Sequence, residues 1–557
     1  MFPENKISDS DSYIFGFNNK IAILSITAFI FIYYFIVFNK SSSCQIFTDD
    51  NKGIAVNTWV YMTSAFLLSG YIVMLYFLVG KDWYGEGIYF IRRIDMILMG
   101  KNPYIDFEYA YGPALIYIPV YFHLIMSKAG FSVKSSYYIV FIITIFLSLG
   151  CLAYIIRCFN ISAKYKNIIF AVFALSSWNP GIGLHYTLLR FILPVVFILY
   201  IHRLLCNNKI KSKILLLTLL SVISTFIILS VSQEIGIAYY ITLIAYIAYL
   251  RINLGKEYIF CFIIHIIVPP IIVAYIFPTD YFASIINFNK GGNSFPIVPT
   301  FYIILYLFCL FYTVPLQLKF SLVPVYNNAI NLAMAVFTVC TIPGAMGRCD
   351  IGHVFYYGIT VLMITPVILL IKYPKFFKYY ITIFIVIMTV YTAAHFNLLY
   401  YGVANRLYVY FVTGHHPREY EYINRDFSRL NRYKEPISVP FDPAEDLDRY
   451  LKSTGKYKVD YFDETRLVDS EDELIQKIKN LDNCKLLIVP KNYINLKPYD
   501  ETLTRQEIIR KLFLYPFNRK PQKLFFQPKV ILMNYINSNY HIIDEVNDYY
   551  LMEYNRE

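Results

Sequence analysis

The chain has 557 residues, 57% of them hydrophobic and only 16% charged, with a mean hydropathy of +0.47. A soluble domain is about 25% charged, so this composition excludes an ordinary soluble protein and points to one built into a membrane. The net charge of +12 does not signal nucleic acid: residues 401–557 balance 24 Lys+Arg against 24 Asp+Glu, so the excess lies wholly in the short loops of residues 1–400.

Apolar runs near 21–38, 59–79, 136–156, 167–180, 187–202, 214–231, 234–250, 258–277, 300–318, 327–343, 354–371 and 379–400 predict about twelve membrane helices. The first is not a signal peptide, because acids precede it and no small-residue cleavage site follows. The nine Cys are scattered without a CxxC pair, so neither a zinc site nor a disulfide framework is expected.

Loop charge sets the orientation. Loops 157–166, 203–213, 251–257, 319–326 and 372–378 hold 13 Lys+Arg and one acid, Glu257, and are assigned to the cytoplasm. The alternate loops carry only Arg190, Lys290 and Arg348 as bases, with Glu234, Asp280 and Asp350, and are assigned to the outer side. Segment 114–126, ALIYIPVYFHLIM, is too short to cross and reads as an interfacial helix. Residues 80–135 then form one outer loop.

The chain divides into an N-terminal extra span with a cytoplasmic loop (1–58), a transmembrane module (59–400) and an extramembrane α/β domain (401–557). In the last, Asp442–Leu451 and Ser470–Leu481 read as helices, Lys485–Pro490 as a buried strand, and Lys529–Ile536 as a further apolar stretch.

Ionisable groups at membrane depth are costly and mark function. On the outer face these are Asp82, Glu86, Arg92, Arg93, Asp95, Asp106 and Glu108 of the first loop, with His185, Arg190, Glu234, Arg348, Asp350 and His353 beyond it. Carboxylates offer a general base, arginines a phosphate clamp and His a proton or a second phosphate contact. Asp106 and Glu108 stand out because they lie in an acid-poor module, within GKNPYIDFEYAYGP. Bland alternatives stand beside each: Glu234 caps a helix start, His185 is a structural hydrogen-bonder, and Arg92 and Asp95 pair along a surface helix.

The block WYGEGIYFIRRIDMILMGKNPYIDFEYAYGP, residues 83–113, resembles the first outer loop of the GT-C superfamily of integral-membrane glycosyltransferases, of the protein O-mannosyltransferase and aminoarabinose-transferase types. Gly100, Pro103, Tyr104, Asp106, Tyr111, Gly112 and Pro113 carry the likeness. GRCDIGH, Gly347 to His353, resembles an R-x-D-x-G-H loop of bacterial members, and SQEIG an outer acidic element. The chain departs from the pattern where an acidic pair is usual, with Gly85-Glu86.

The resemblance implies transfer of a sugar from a polyprenyl-phosphate donor to a glycan, lipid or protein acceptor on the outer side, and the AT-rich-looking composition without eukaryotic targeting favours a bacterial inner membrane. Glu86, Asp106 or Glu108 would serve catalysis. Tyr104, Tyr111, His185, Arg190, Glu234, Arg348, Asp350 and His353 would bind substrate. No ligand cluster diagnostic of a cofactor is present in the sequence, although a divalent metal serves some members. Membrane lipids are the remaining partner, and nucleic acid is not one. Alternatives are a transporter or flippase, a polymerase or ligase of lipid-linked sugars, and a non-catalytic scaffold. The acids sit at helix ends and not mid-span, which argues against transport.

Overall fold

A computed structural model describes residues 19–37, 46–47, 55–78, 85–177 except 106, 108 and 110, 183–207, 212–278, 281, 301–318, 325–348, 351–390, 412, 425–441, 445–458, 484–495 and 527–555. Helices dominate. In chain order they are α1 (Asn19–Val37), α2 (Thr58–Leu78), α3 (Gly85–Leu98), α4 (Ala114–Met126), α5 (Val133–Arg157), α6 (Ala163–Ser176), α7 (Leu188–Cys206), α8 (Lys213–Val231), α9 (Gln233–Asn253), α10 (Tyr258–Ile276), α11 (Phe301–Leu318), α12 (Val325–Arg348), α13 (Ile351–Lys372) and α14 (374–390).

Among the described residues seven helices are long and apolar enough to cross a membrane: α5, α7, α8, α9, α10, α11 and the Val325–Met346 part of α12. The α13 pair, Ile351–Tyr357 and Ile359–Lys372, bends by 66° and makes an eighth if it counts as one span. Among the described residues the expected total of about twelve is therefore not confirmed. The described parts of runs 21–38, 59–79 and 167–180 lie in helices α1, α2 and α6, whose qualifying apolar stretches are shorter, and 379–400 extends past the described residues. Large apolar side chains such as Phe66, Tyr275 and Phe301 point outward at 77%, 91% and 75% exposure, as a lipid-facing surface requires.

Segment 114–126 folds as the 13-residue helix α4, about 20 Å long against an apolar core of about 30 Å. It returns antiparallel to the start of α5, where His123 Nδ1 meets Ser136 Oγ at 3.1 Å. Helices α8 and α9 are separated by a single residue, Ser232, whose extended backbone turns the chain sharply. Close packing between α12 and α13 depends on Gly344, where a Cβ would stand 2.2 Å from the Tyr357 ring.

The C-terminal region builds a five-stranded sheet in the order β2-β1-β3-β5-β4. The strands are β1 (Ile437–Ser438), β2 (Tyr457–Lys458), β3 (Leu486–Pro490), β4 (Tyr540–Val546) and β5 (Tyr549–Tyr554). β1 pairs in parallel with β2 and β3, and the β4–β5 hairpin is antiparallel. Alternation along β3 feeds two cores. Leu487 and Val489 pack with Leu532, Met533 and Ile536 of α16 (Gln527–Asn539), while Leu486 and Ile488 pack with Leu447 and Leu451 of α15 (Glu445–Ser453). The sheet is thus covered on both faces. The predicted helix 470–481 lies outside the described residues, and the 529–536 stretch is helical.

Candidate functional site

Four segments far apart in sequence meet at one end of the bundle, around Arg190. Its guanidinium lies in the first turn of α7 with its side chain 1% exposed. Nε donates to Ser232 Oγ at 2.9 Å and Nη1 to the His185 carbonyl at 3.0 Å. Nη2 donates to Glu234 Oε1 and, at 3.2 Å, to the Tyr357 hydroxyl. Tyr357 donates in turn to the same Glu234 oxygen, and Ser232 Oγ donates to Glu234 Oε2 at 3.2 Å.

Each contact follows from local structure. Ser232 is the residue between α8 and α9, and it leaves the helix start uncapped by its hydroxyl, which is committed to the Arg190–Glu234 pair. Glu234 sits in the first turn of α9, where the helix dipole favours an anion. Its side chain is 20% exposed, while both carboxylate oxygens are held by Arg190, Tyr357 and Ser232. A buried ion pair is worth little net but costs about 3–5 kcal/mol when one partner is removed.

The aromatic loop 100–113 leans on this centre. The Arg190 guanidinium stands 5.0 Å from the centroid of Tyr111, whose ring is 4.5 Å from that of His185. Phe90 of α3 stacks on Tyr111 and Tyr137 and contacts His185 at 5.2 Å. Gly112 lies against the end of α8 so closely that a Cβ would fall 2.3 Å from the Ser230 carbonyl oxygen. Only glycine fits there.

Tyr104 has φ +72°, a left-handed backbone that costs a non-glycine residue about 1–3 kcal/mol. The loop holds it there: its N–H donates to Phe107 O at 2.9 Å and its hydroxyl to Tyr111 O at 2.5 Å. Its ring meets Tyr281, which donates to Leu229 O at 3.0 Å. Burial pushes the Tyr104 phenol well above its ordinary range, and it does the same at Tyr109. Both phenols therefore stay protonated, and that of Tyr104 donates to Tyr111 O.

His353, in the first turn of α13, faces Tyr186, whose hydroxyl is 2.5 Å from Nε2. Tyr356, on the same helix, donates to Ser177 O at 2.7 Å, which ties the end of α6 to the site. Tyr186 and Tyr356 also line a small cavity of about 30 Å³ between α2 and α5, room for roughly one water.

The structure therefore brings together Tyr104, Tyr111, His185, Arg190, Glu234 and His353 from the sequence-derived set. Glu86 stands in the first turn of α3 and Arg348 at the end of α12. Asp106, Glu108 and Asp350 lie outside the described residues, as does Asp82. Arg92, Arg93 and Asp95 sit half-buried on α3, with Arg93 over the Tyr89 ring at 3.3 Å. Sequence reasoning did not find Ser232, Tyr357 or Tyr186. Tyr357 had one signal, its position four residues after His353 on the same helix face. Among the described residues no group of three or more His, Cys, Asp or Glu is placed to hold a metal ion.

Comparison with protein-family models, with curated proteins and with solved structures finds no match to this chain.

Proposed function

We propose that the chain is a membrane glycosyltransferase of the GT-C kind, with about twelve spans, that moves a sugar from a polyprenyl-phosphate donor to an acceptor hydroxyl outside a bacterial inner membrane. The observation that supports this reading is the meeting of the 100–113 loop, His185, Glu234 and His353 at one end of the bundle, around a buried arginine.

In this proposal a loop carboxylate, Asp106, Glu108 or Glu86, takes the proton of the acceptor hydroxyl. The acceptor oxygen bonds to the anomeric carbon as the bond from that carbon to the phosphate oxygen breaks. The polyprenyl phosphate leaves with the electron pair. Arg348 and His353 stabilise the charge that develops on it, which fixed cations do effectively in a water-poor site. Arg190 works differently, because Ser232, the His185 carbonyl, Glu234 and Tyr357 already take four of its five N–H donors. It holds the loop in place.

A second reading, transport of lipid-linked sugars, gains from one observation. His265 lies midway along α10, fully buried, with neither ring nitrogen hydrogen-bonded. The two readings separate in detergent, where the membrane has no sides. Purified protein mixed with polyprenyl-phosphate sugars and candidate acceptors forms a glycosylated product only if it is a transferase. Profiling a deletion strain for the lipid-linked sugar that accumulates would identify the donor. An unchanged glycan profile in that strain would contradict the proposal.

A further inference from the structure

Three cations converge at the other end of the bundle, where α5 and α7 terminate. Arg203 lies about 20 Å along α7 from Arg190. Lys166 is 2% exposed and places Nζ 3.0 Å from the carbonyl oxygen of Arg157. The Arg203 guanidinium lies over the Tyr154 ring at 5.4 Å, and its Nη2 is buried without a hydrogen-bond acceptor. Cys158, which follows α5, donates from Sγ to Tyr154 O at 3.1 Å, so the end of α5 carries the Arg203, Lys166 and Arg157 contacts together. Segments 157–166 and 203–213 contain no Asp or Glu.

Helix capping explains part of this. Lys166 and Lys213 donate to carbonyls at the ends of α5 and α7, the latter at 2.6 Å from Leu205 O, and cations there suit the helix dipoles. Capping does not account for Arg203, because a buried N–H is ordinarily satisfied.

We infer that Arg157, Lys166 and Arg203 form a binding site for the phosphate of an anionic phospholipid headgroup. Basic pockets between membrane helices hold such headgroups, and hydrocarbon chains anchored there would lie along the apolar outer surface of the bundle. Arg203 Nη2 supplies a donor to the phosphate oxygen, and Lys166 and Arg157 supply compensating charge. The site stands apart from Arg190 and does not depend on the proposed chemistry.

The test uses the full chain in detergent. Thermal unfolding is followed with added phosphatidylglycerol, phosphatidylcholine or inorganic phosphate, and bound lipids are counted by native mass spectrometry. Phosphatidylglycerol should raise the midpoint and be retained in preference to phosphatidylcholine, while inorganic phosphate should have no effect at equal concentration. Arg203→Ala should weaken phosphatidylglycerol binding by roughly fivefold, and Arg203→Lys should restore most of it. If Arg203→Ala does not purify, the lipid preference of the unmodified chain decides alone. Equal effects of both lipids would overturn the proposal, and an equal effect of inorganic phosphate would reassign the site to a free anion.

Discussion

Arg190 and Glu234, 44 residues apart, form a buried ion pair whose carboxylate also accepts the Tyr357 hydroxyl. Three helices and a surface loop are thereby joined at one point. Removing either charge strands the other, so Arg190→Met should destabilise the protein by about 3–5 kcal/mol, read as a lowered unfolding midpoint in detergent. The double variant Arg190→Met/Glu234→Met should recover a large part of that loss. Additive losses would show that the two side chains are not energetically coupled.

Tyr104 should tolerate Phe far better than Val. Loss of its hydroxyl bond to Tyr111 costs about 1 kcal/mol, whereas a β-branched residue at φ +72° is strained beyond what tyrosine already bears and also loses the ring contacts with Tyr109 and Tyr281. Limited proteolysis within 100–113 would read the difference as faster cleavage in Tyr104→Val.

Gly112→Ala should dislodge the loop from α8, since the added carbon would overlap the Ser230 carbonyl. The expected penalty is about 1–3 kcal/mol or more. Activity of the proposed transferase should fall with it while membrane expression is retained. An alanine variant with unaltered protease protection of 100–113 would contradict this packing.

In the C-terminal sheet Arg425 binds Asp446 through two bonds, of 2.7 and 2.8 Å, and Asp548 at 2.6 Å. Arg425→Ala should loosen α15 and the β4–β5 turn by about 2 kcal/mol. Hydrogen exchange in β3 and β5 checks it.

Two carboxyls of this region titrate below their ordinary values: Glu435 through its hydrogen bond with Lys485, and Asp426 through those from Ser428. A lowered folded-state value means stabilisation that is present at neutral pH and is lost as pH falls through that value. Protection in β1 and β3 should therefore be flat above about pH 5 and decline below it. Glu435→Gln should flatten part of the decline. A decline centred near neutral pH would exclude these groups as its source.

Much of the membrane layer was legible because an apolar span announces itself over about 20 residues. The brevity of 114–126 and the KLLIVP strand were readable for the same local reason. Helix α16 was harder, since an apolar stretch of eight residues fits strand or helix equally. The β4–β5 hairpin was missed: its acids interrupt the alternation, and only the turn at Asn547, with φ +55°, signals it. At the site, the residue types were visible but their partners were not. Nothing local in SVSQEIG tells that Ser232 and Glu234 would close on Arg190, because that pairing comes from helix packing. His265 escaped notice because one histidine in an apolar run carries no pattern.

The central claim is tested most directly by assaying transfer with purified protein and a panel of polyprenyl-phosphate sugars. The account predicts a glycosylated acceptor and free polyprenyl phosphate, with Asp106→Asn and Arg348→Ala each reducing turnover at least about a hundredfold. A folded protein that binds no donor and forms no product across the panel would contradict it, as would full activity retained in Asp106→Asn, Glu86→Gln, Glu108→Gln and Arg348→Ala alike.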